Sequence, residues 1–208
     1  MDRGKIVAIV GGPRCGKSYL ASKLAAHFGA PVLFEGEEKD FPREVIAAMR
    51  GNINPVERLL YFRNKLVSNQ IQANKLTQSH RFVFLDSCWV NNIPFAGLCE
   101  QTPFEKNLLD ELSAIDTAFL PWPDVLIYLK TDGRTSRDFL SRGGRSFEAT
   151  EEFIVRQIEN SKKIFDEYYA RIEVPVPLYT VDRTGLDFDK PEDLRTVMSS
   201  ASALGVSD

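Results

Sequence analysis

The feature that most constrains this chain is the stretch KIVAIVGGPRCGKS at residues 5–18. Residues 6–10 are an unbroken run of Ile, Val and Ala, the composition of a strand buried on both faces of a parallel sheet. The run enters Gly11, and Gly11-x4-Gly16-Lys17-Ser18 has the spacing of a phosphate-binding loop. Glycines allow the tight turn and let backbone N–H groups approach phosphate oxygens. In such a loop Lys17 reaches the β- and γ-phosphates, and the Ser18 hydroxyl ligates Mg2+. A helix opening at about residue 17 aims its positive end at the same phosphates. Pro13 has no N–H to donate, and Arg14 and Cys15 read as spacers. The expected ATP-binding loop is thus Gly11, Gly12, Pro13, Arg14, Cys15, Gly16, Lys17 and Ser18.

Beyond the loop, apolar periodicity alternates between helix and strand. Residues 19–28 carry Leu20, Leu24 and Phe28 on one helical face, with Gly29 as a stop. Residues 31–34 form a short strand ending at Glu35, and residues 42–49 a helix stopping at Gly51. Asn54-Pro55-Val56-Glu57 predicts a capped start for a helix to about residue 76, with Leu59, Leu60, Phe62, Leu66, Val67 and Ile71 as its apolar side. Residues 81–86 form the third strand, ending in Asp86, and residues 87–101 read as a loop. Thr102-Pro103-Phe104-Glu105 is a capping box opening a helix with Phe104, Leu108, Leu112 and Ile115 as its stripe. A fourth strand at 125–129, a helix at 131–140, a long helix at 151–172, a fifth strand at 176–181 and a closing helix at 191–204 complete the pattern. Tyr168 and Tyr169 read as packing residues.

This order predicts an α/β fold of the P-loop NTPase type: three α/β/α layers around a five-stranded parallel sheet, in one domain over residues 1–208, with the last few disordered. Ligands of such sheets bind at the carboxyl ends of the strands. Ser18, Glu35, Asp86 and Thr131 each follow a strand, so they are expected to gather at one edge.

Composition excludes several partner classes. The net charge of −3, with acids and bases interspersed, gives no basic face for nucleic acid. No apolar run reaches ~18 residues, so no membrane span is expected, and the first apolar run is a strand rather than a signal peptide. Three cysteines, Cys15, Cys88 and Cys99, form no CxxC pair and fit a reducing, cytoplasmic setting. His27 and His80 lie far apart, without a zinc pattern.

Absences narrow the chemistry further. Asn74-Lys75-Leu76-Thr77 lacks the Asp of a guanine-reading NKxD loop, and no Glu follows Asp86 as in ATP-hydrolysing motors. Small-molecule and nucleotide kinases remain. Such an enzyme needs a carboxylate at the acceptor hydroxyl, and Glu35 is placed for it. It also needs cations over the transferring phosphoryl group. Arg142 and Arg145, flanking Gly143 and Gly144, form a candidate arginine lid at residues 141–149. Asp86 faces Mg2+ directly or through water, together with Ser18. Phe62, Trp89 and Phe95 are candidate walls of the acceptor pocket.

PDVLIYLKTD at 123–132, FLSRGGRSFE at 139–148 and a following long helix with an aromatic end carry a more specific signal. From residue 5 to about residue 182 the chain resembles the deoxynucleoside kinase family, especially its bacterial deoxyadenosine/deoxyguanosine kinase branch. The resemblance implies ATP and Mg2+, a nucleoside-like acceptor and a helix-packed homodimer, while charge and apolar run length, as above, are the grounds for expecting no nucleic-acid or membrane partner. It implies Glu35 as base at the 5′-hydroxyl, Asp86 as the third-strand acid, Arg145 as lid arginine and Glu148 at the sugar 3′-hydroxyl. It also aligns Tyr61-Phe62 with a Tyr-Phe pair of the family, and Tyr61 and Phe62, together with the candidate wall Phe95, are the residues expected at the acceptor. The chain departs from the family at three places. Ser87 replaces an arginine after the third-strand acid, Leu59 and Leu66 stand at the base-reading positions, and Glu35-Gly36 replaces Glu-Pro. Arg58, Arg63, Asn64 and Lys65 are candidates for a different acceptor reading.

Overall fold

The structure is a computed structural model that describes residues 3–51, 53–142, 158 and 160–200. Five strands, β1 (Lys5–Val10), β2 (Val32–Leu33), β3 (Phe82–Asp86), β4 (Val125–Lys130) and β5 (Leu178–Asp182), form one parallel sheet in the order β2-β3-β1-β4-β5. In register, Ile9 lies opposite Asp86 on one side and Ile127 on the other.

Alternate side chains of the central strands build two cores. Val7, Ile9, Phe82, Phe84, Ile127 and Leu129 face α1 (Lys17–Phe28) and the last helix, which we number α8 (Pro191–Ser200). Ile6, Ala8, Val10, Val83, Leu85 and Tyr128 face α3 (Pro55–Leu76) and α7 (Asn160–Arg171). Both faces of each central strand are therefore apolar, which explains the continuous apolar runs in the sequence. Among the described residues the remaining helices are α2 (Arg43–Gly51), α4 (Asn92–Ala96), α5 (Pro103–Phe119) and α6 (Gly133–Arg142). Among the described residues, no helix is long and apolar enough to cross a membrane.

Several local expectations change. The loop expected at 87–101 contains a 3-10 turn, Trp89–Asn91, and α4, which is too short to show a helical period in sequence. β2 has only two paired residues because it is an edge strand joined to β3 alone. Asn54 does not cap α3 with its side chain. Its backbone is left-handed, at φ 49°, and its amide instead approaches Glu57 at 3.4 Å. The buried face of α3 includes Arg58, Asn69 and Gln70, while Ile71 is exposed. The capping box of α5 forms as expected, but its Phe104 and Ile115 face outward, and Leu109 and Asp116 are buried. Helix α6 begins and ends two residues later than expected. The lid segment beyond Arg142, with Arg145 and Glu148, lies outside the described residues, as does the side chain of Arg142.

Candidate active site

The loop after β1 has the backbone that its glycines permit. Gly11 has φ 150°, and a Cβ there would lie 2.6 Å from the Leu129 carbonyl oxygen and 2.9 Å from Cys15 Sγ. Gly16 has φ 94°, a left-handed value just ahead of α1. Cys15 is buried beneath the loop in the α1-facing core, and burial pushes its thiol pKa up. It is thus a packing residue as well as a spacer. Lys17 Nζ donates to the Gly12 carbonyl at 2.8 Å. The Ser18 hydroxyl donates to Asp86 Oδ2 at 2.7 Å, joining the start of α1 to the end of β3.

A cavity of about 500 Å3 opens from this loop. On the β3 side it is bounded by Glu35, Asp86 and Ser87, by Arg58, Leu59, Phe62 and Leu66 of α3, and by Asn91, Asn92 and Phe95. Glu35 is placed by its neighbours. Asn69 of α3 donates to the Phe34 carbonyl at 2.8 Å, and Gly36 turns the chain away at φ 124°. Proline, held near φ −65°, cannot adopt that turn, so Glu35-Gly36 leads the chain away from the site on a path closed to Glu-Pro. Ser87 also has a positive φ, 75°, and its N–H donates to the Ile9 carbonyl at 2.9 Å. Arg58 is 7% exposed, and its Nη2 approaches Cys99 Sγ at 3.2 Å.

On the β5 side the cavity is bounded by Tyr19, Phe139, Arg183, Asp187 and Asp189. Asp189 pairs with Lys23 at 2.6 Å. That bond and one from Tyr19 hold its carboxyl below the usual carboxylate range, while the Tyr19 hydroxyl is pushed up by Asp189. Burial lowers the Arg183 pKa.

The cavity therefore brings together Pro13, Arg14, Gly16, Lys17, Ser18, Glu35, Phe62, Asp86 and Phe95 from the expected set. Tyr61 lies outside it: its ring packs on Phe41 and Phe62, and its hydroxyl donates to the Asp40 carbonyl at 3.4 Å. Trp89 is also outside, buried against Trp122 with its Nε1 donating to the Pro121 carbonyl at 3.0 Å. Thr131 does not join the cluster but borders a smaller pocket with Gly12, Ser161 and Lys162. Arg63 is engaged with Asp116 of α5 through both Nε and Nη2, so of Arg58, Arg63 and Lys65 only Arg58 borders the cavity.

Sequence reasoning missed Asn91, Asn69 and Arg183. Asn91 and Asn69 carry no motif. Arg183 follows β5 as Asp86 ends β3 and Glu35 follows β2, so the after-strand rule points to it once β5 is extended to Asp182.

Two oxygen ligands, Ser18 Oγ and Asp86 Oδ2, stand where a cation could bridge to phosphate. Among the described residues no cluster of three or more His, Cys, Asp or Glu could hold a metal by itself. That donor set fits Mg2+, which keeps waters and shares substrate phosphates rather than filling an all-protein cage.

No curated protein matches the chain. Among solved structures, deoxyadenosine kinase from M. mycoides with bound dATP superposes at a TM-score of 0.77 and 18% identity, covering 95% of this chain and 99% of the other. The same enzyme with its products dCMP and dCDP gives 0.75 at 18% identity, and with dCTP 0.66 at 17%, each over 95% of this chain and 99% of the other. At that identity the likeness is one of fold: a P-loop kinase-type α/β/α sandwich. Residues 6–158 match the family described as AAA domain, most of the chain's length. This chain therefore belongs to the AAA domain family, on a fold shared with deoxyadenosine kinase.

Proposed function

We propose that the protein is a kinase that transfers the γ-phosphoryl group of a nucleoside triphosphate such as ATP to a hydroxyl of a nucleoside or close analogue. The supporting observation is a single cavity in which Lys17 and the Ser18–Asp86 pair share one space with Glu35 and two aromatic walls, Phe62 and Phe95. In the proposed reaction the loop amides and Lys17 hold the β- and γ-phosphates. Ser18 and Asp86 would hold Mg2+, which neutralises phosphate charge when bound. Glu35 accepts or orients the proton of the acceptor hydroxyl, and Phe62 and Phe95 sandwich the base. Arg142 and Arg145 are proposed to close over the transferring group, and Glu148 to meet the sugar. Release of the nucleoside diphosphate, measured with MgATP or MgGTP and a panel of nucleosides and deoxynucleosides, tests this. Normal nucleotide binding with no turnover on any of them would remove the nucleoside acceptor.

A second acceptor reading has its own support. Arg58 is a nearly buried cation in the cavity wall beside Leu59, one of the two positions where the resemblance expects a base reader. A nucleoside monophosphate would pair with it. Turnover on monophosphates that is lost in Arg58→Met would favour this reading.

We also propose a homodimer packed through α5. Its Phe104, Ile115 and Phe119 are 74%, 52% and 80% exposed and share one helical face with Leu108 and Leu112. A Phe119→Glu variant is expected to run as a monomer in light-scattering chromatography. Buried Cys15 and Cys88 and partly buried Cys99, all free thiols, suit a reducing compartment such as the cytoplasm.

A further inference from the structure

Arg183 is 4% exposed, yet its Nε and Nη1 are buried with no hydrogen-bond partner. Its guanidinium stacks instead between Phe188, at 4.0 Å from the ring centre, and Phe139, at 4.9 Å. A buried cation with unfilled N–H groups is costly, and native proteins fill such groups with a ligand or water. The residue is held firmly: its own N–H donates to the Lys130 carbonyl at 2.7 Å, at the carboxyl edge of β4 and β5. A Cβ added to Gly16 would lie 3.4 Å from Arg183 Nε, so the guanidinium sits directly over the phosphate loop.

The sheet order assigns the direction. β3, with Asp86, and β4–β5, with Arg183, lie on opposite sides of β1. On the proposed kinase reading, the γ-phosphate lies toward Asp86 and Glu35. The nucleoside end of the donor then lies toward Arg183.

We propose that Arg183 reads the base of the phosphate donor and favours a 6-oxo purine over a 6-amino purine. A guanidinium offers only N–H groups. The O6/N7 edge of guanine presents two acceptors, whereas adenine places an amino group beside N7. Asp187, on the same wall, offers a carboxylate for the N1–H and N2–H2 groups that guanine has and adenine lacks. The inference rests on the nucleotide-donor reading of the loop.

Calorimetric binding of MgGDP, MgADP and magnesium tripolyphosphate to the wild-type protein, Arg183→Met and Arg183→Gln tests it without turnover. The wild type is expected to bind MgGDP about 10-fold or more tightly than MgADP. Arg183→Met should weaken MgGDP by about 10–100-fold, abolish the preference and weaken tripolyphosphate far less than MgGDP, with Arg183→Gln between the two. Equal or tighter binding of MgADP by the wild type overturns the proposal. So does a variant that weakens tripolyphosphate as much as MgGDP, which would put Arg183 on phosphate. Failure of tripolyphosphate and both nucleotides to bind the wild type would instead overturn the phosphate-loop reading, and this proposal with it.

Discussion

Asn91 holds Gly11 by both polar groups of its backbone. Asn91 Oδ1 accepts the Gly11 N–H at 2.9 Å, and Asn91 Nδ2 donates to the Gly11 carbonyl at 3.1 Å. Tyr169 donates its hydroxyl to the same Oδ1 at 2.9 Å and stacks on Tyr128, with ring centres 4.4 Å apart. The entrance of the phosphate loop is thus fastened to the turn after β3 and to α7. Gly11 needs this help because its extended, positive-φ backbone has no regular ladder partner there. Asn91→Ala strands three buried polar groups and is expected to cost about 2–4 kcal/mol, lowering Tm by about 5–12 °C. An unchanged melting curve would show that the loop holds its shape without Asn91.

Asp86→Asn keeps an oxygen for the Ser18 hydroxyl but removes the charge at the proposed Mg2+ site. Nucleotide affinity without Mg2+ should stay within about 2-fold, while turnover with Mg2+ should fall by about 100-fold or more. Equal loss with and without Mg2+ would mean that the carboxylate acts on folding rather than on the metal.

Gly36→Pro asks for φ near −65° where the chain has 124°. It should lower turnover far more than Gly36→Ala lowers it, because the displaced residue is its neighbour Glu35. Circular dichroism melts beside initial rates separate that effect from lost stability.

Arg63→Met leaves the Asp116 carboxylate buried without its guanidinium, at an expected cost of about 2–4 kcal/mol. Arg63 lies outside the cavity, so acceptor KM should not move. A changed acceptor preference in the folded variant would return Arg63 to the site.

Alkaline unfolding should be steep. Burial pushes the phenols of Tyr128, Tyr168 and Tyr169 up, and the Cys88 thiol to about 12. The unfolded tyrosines release protons near pH ~10 while the folded ones keep theirs. Stability is therefore fully present below that pH and declines as pH rises through it, by up to about 4 kcal/mol per unit for the three phenols. Tyrosinate absorbance should appear together with loss of helical signal. Gradual titration without unfolding would contradict the burial.

Much of the fold was legible in the chain because its signals are local. A strand buried on both faces must be apolar throughout, as residues 6–10 are, and Gly11, Gly16, Lys17 and Ser18 are spaced by backbone geometry alone. The α5 capping box was legible for the same reason, since Thr102 and Glu105 satisfy each other within one turn. Asn54 misled because Asn both caps helices and tolerates left-handed φ, and neighbours chose the second.

Sequence by itself thus determined the sheet, the phosphate loop and the carboxylates that end up beside it, since each follows from period, glycine freedom or position after a strand. Only the tertiary structure decided which face of α3 meets the cavity. That choice admits Arg58, assigns Arg63 to Asp116 and leaves Tyr61 outside, because a helix carrying apolar and polar residues around its surface buries whichever side its neighbours complete. Tertiary structure also decided that Asn91 meets Gly11 and that Arg183 lies over Gly16. Contacts between residues eighty or more positions apart leave no trace in local spacing.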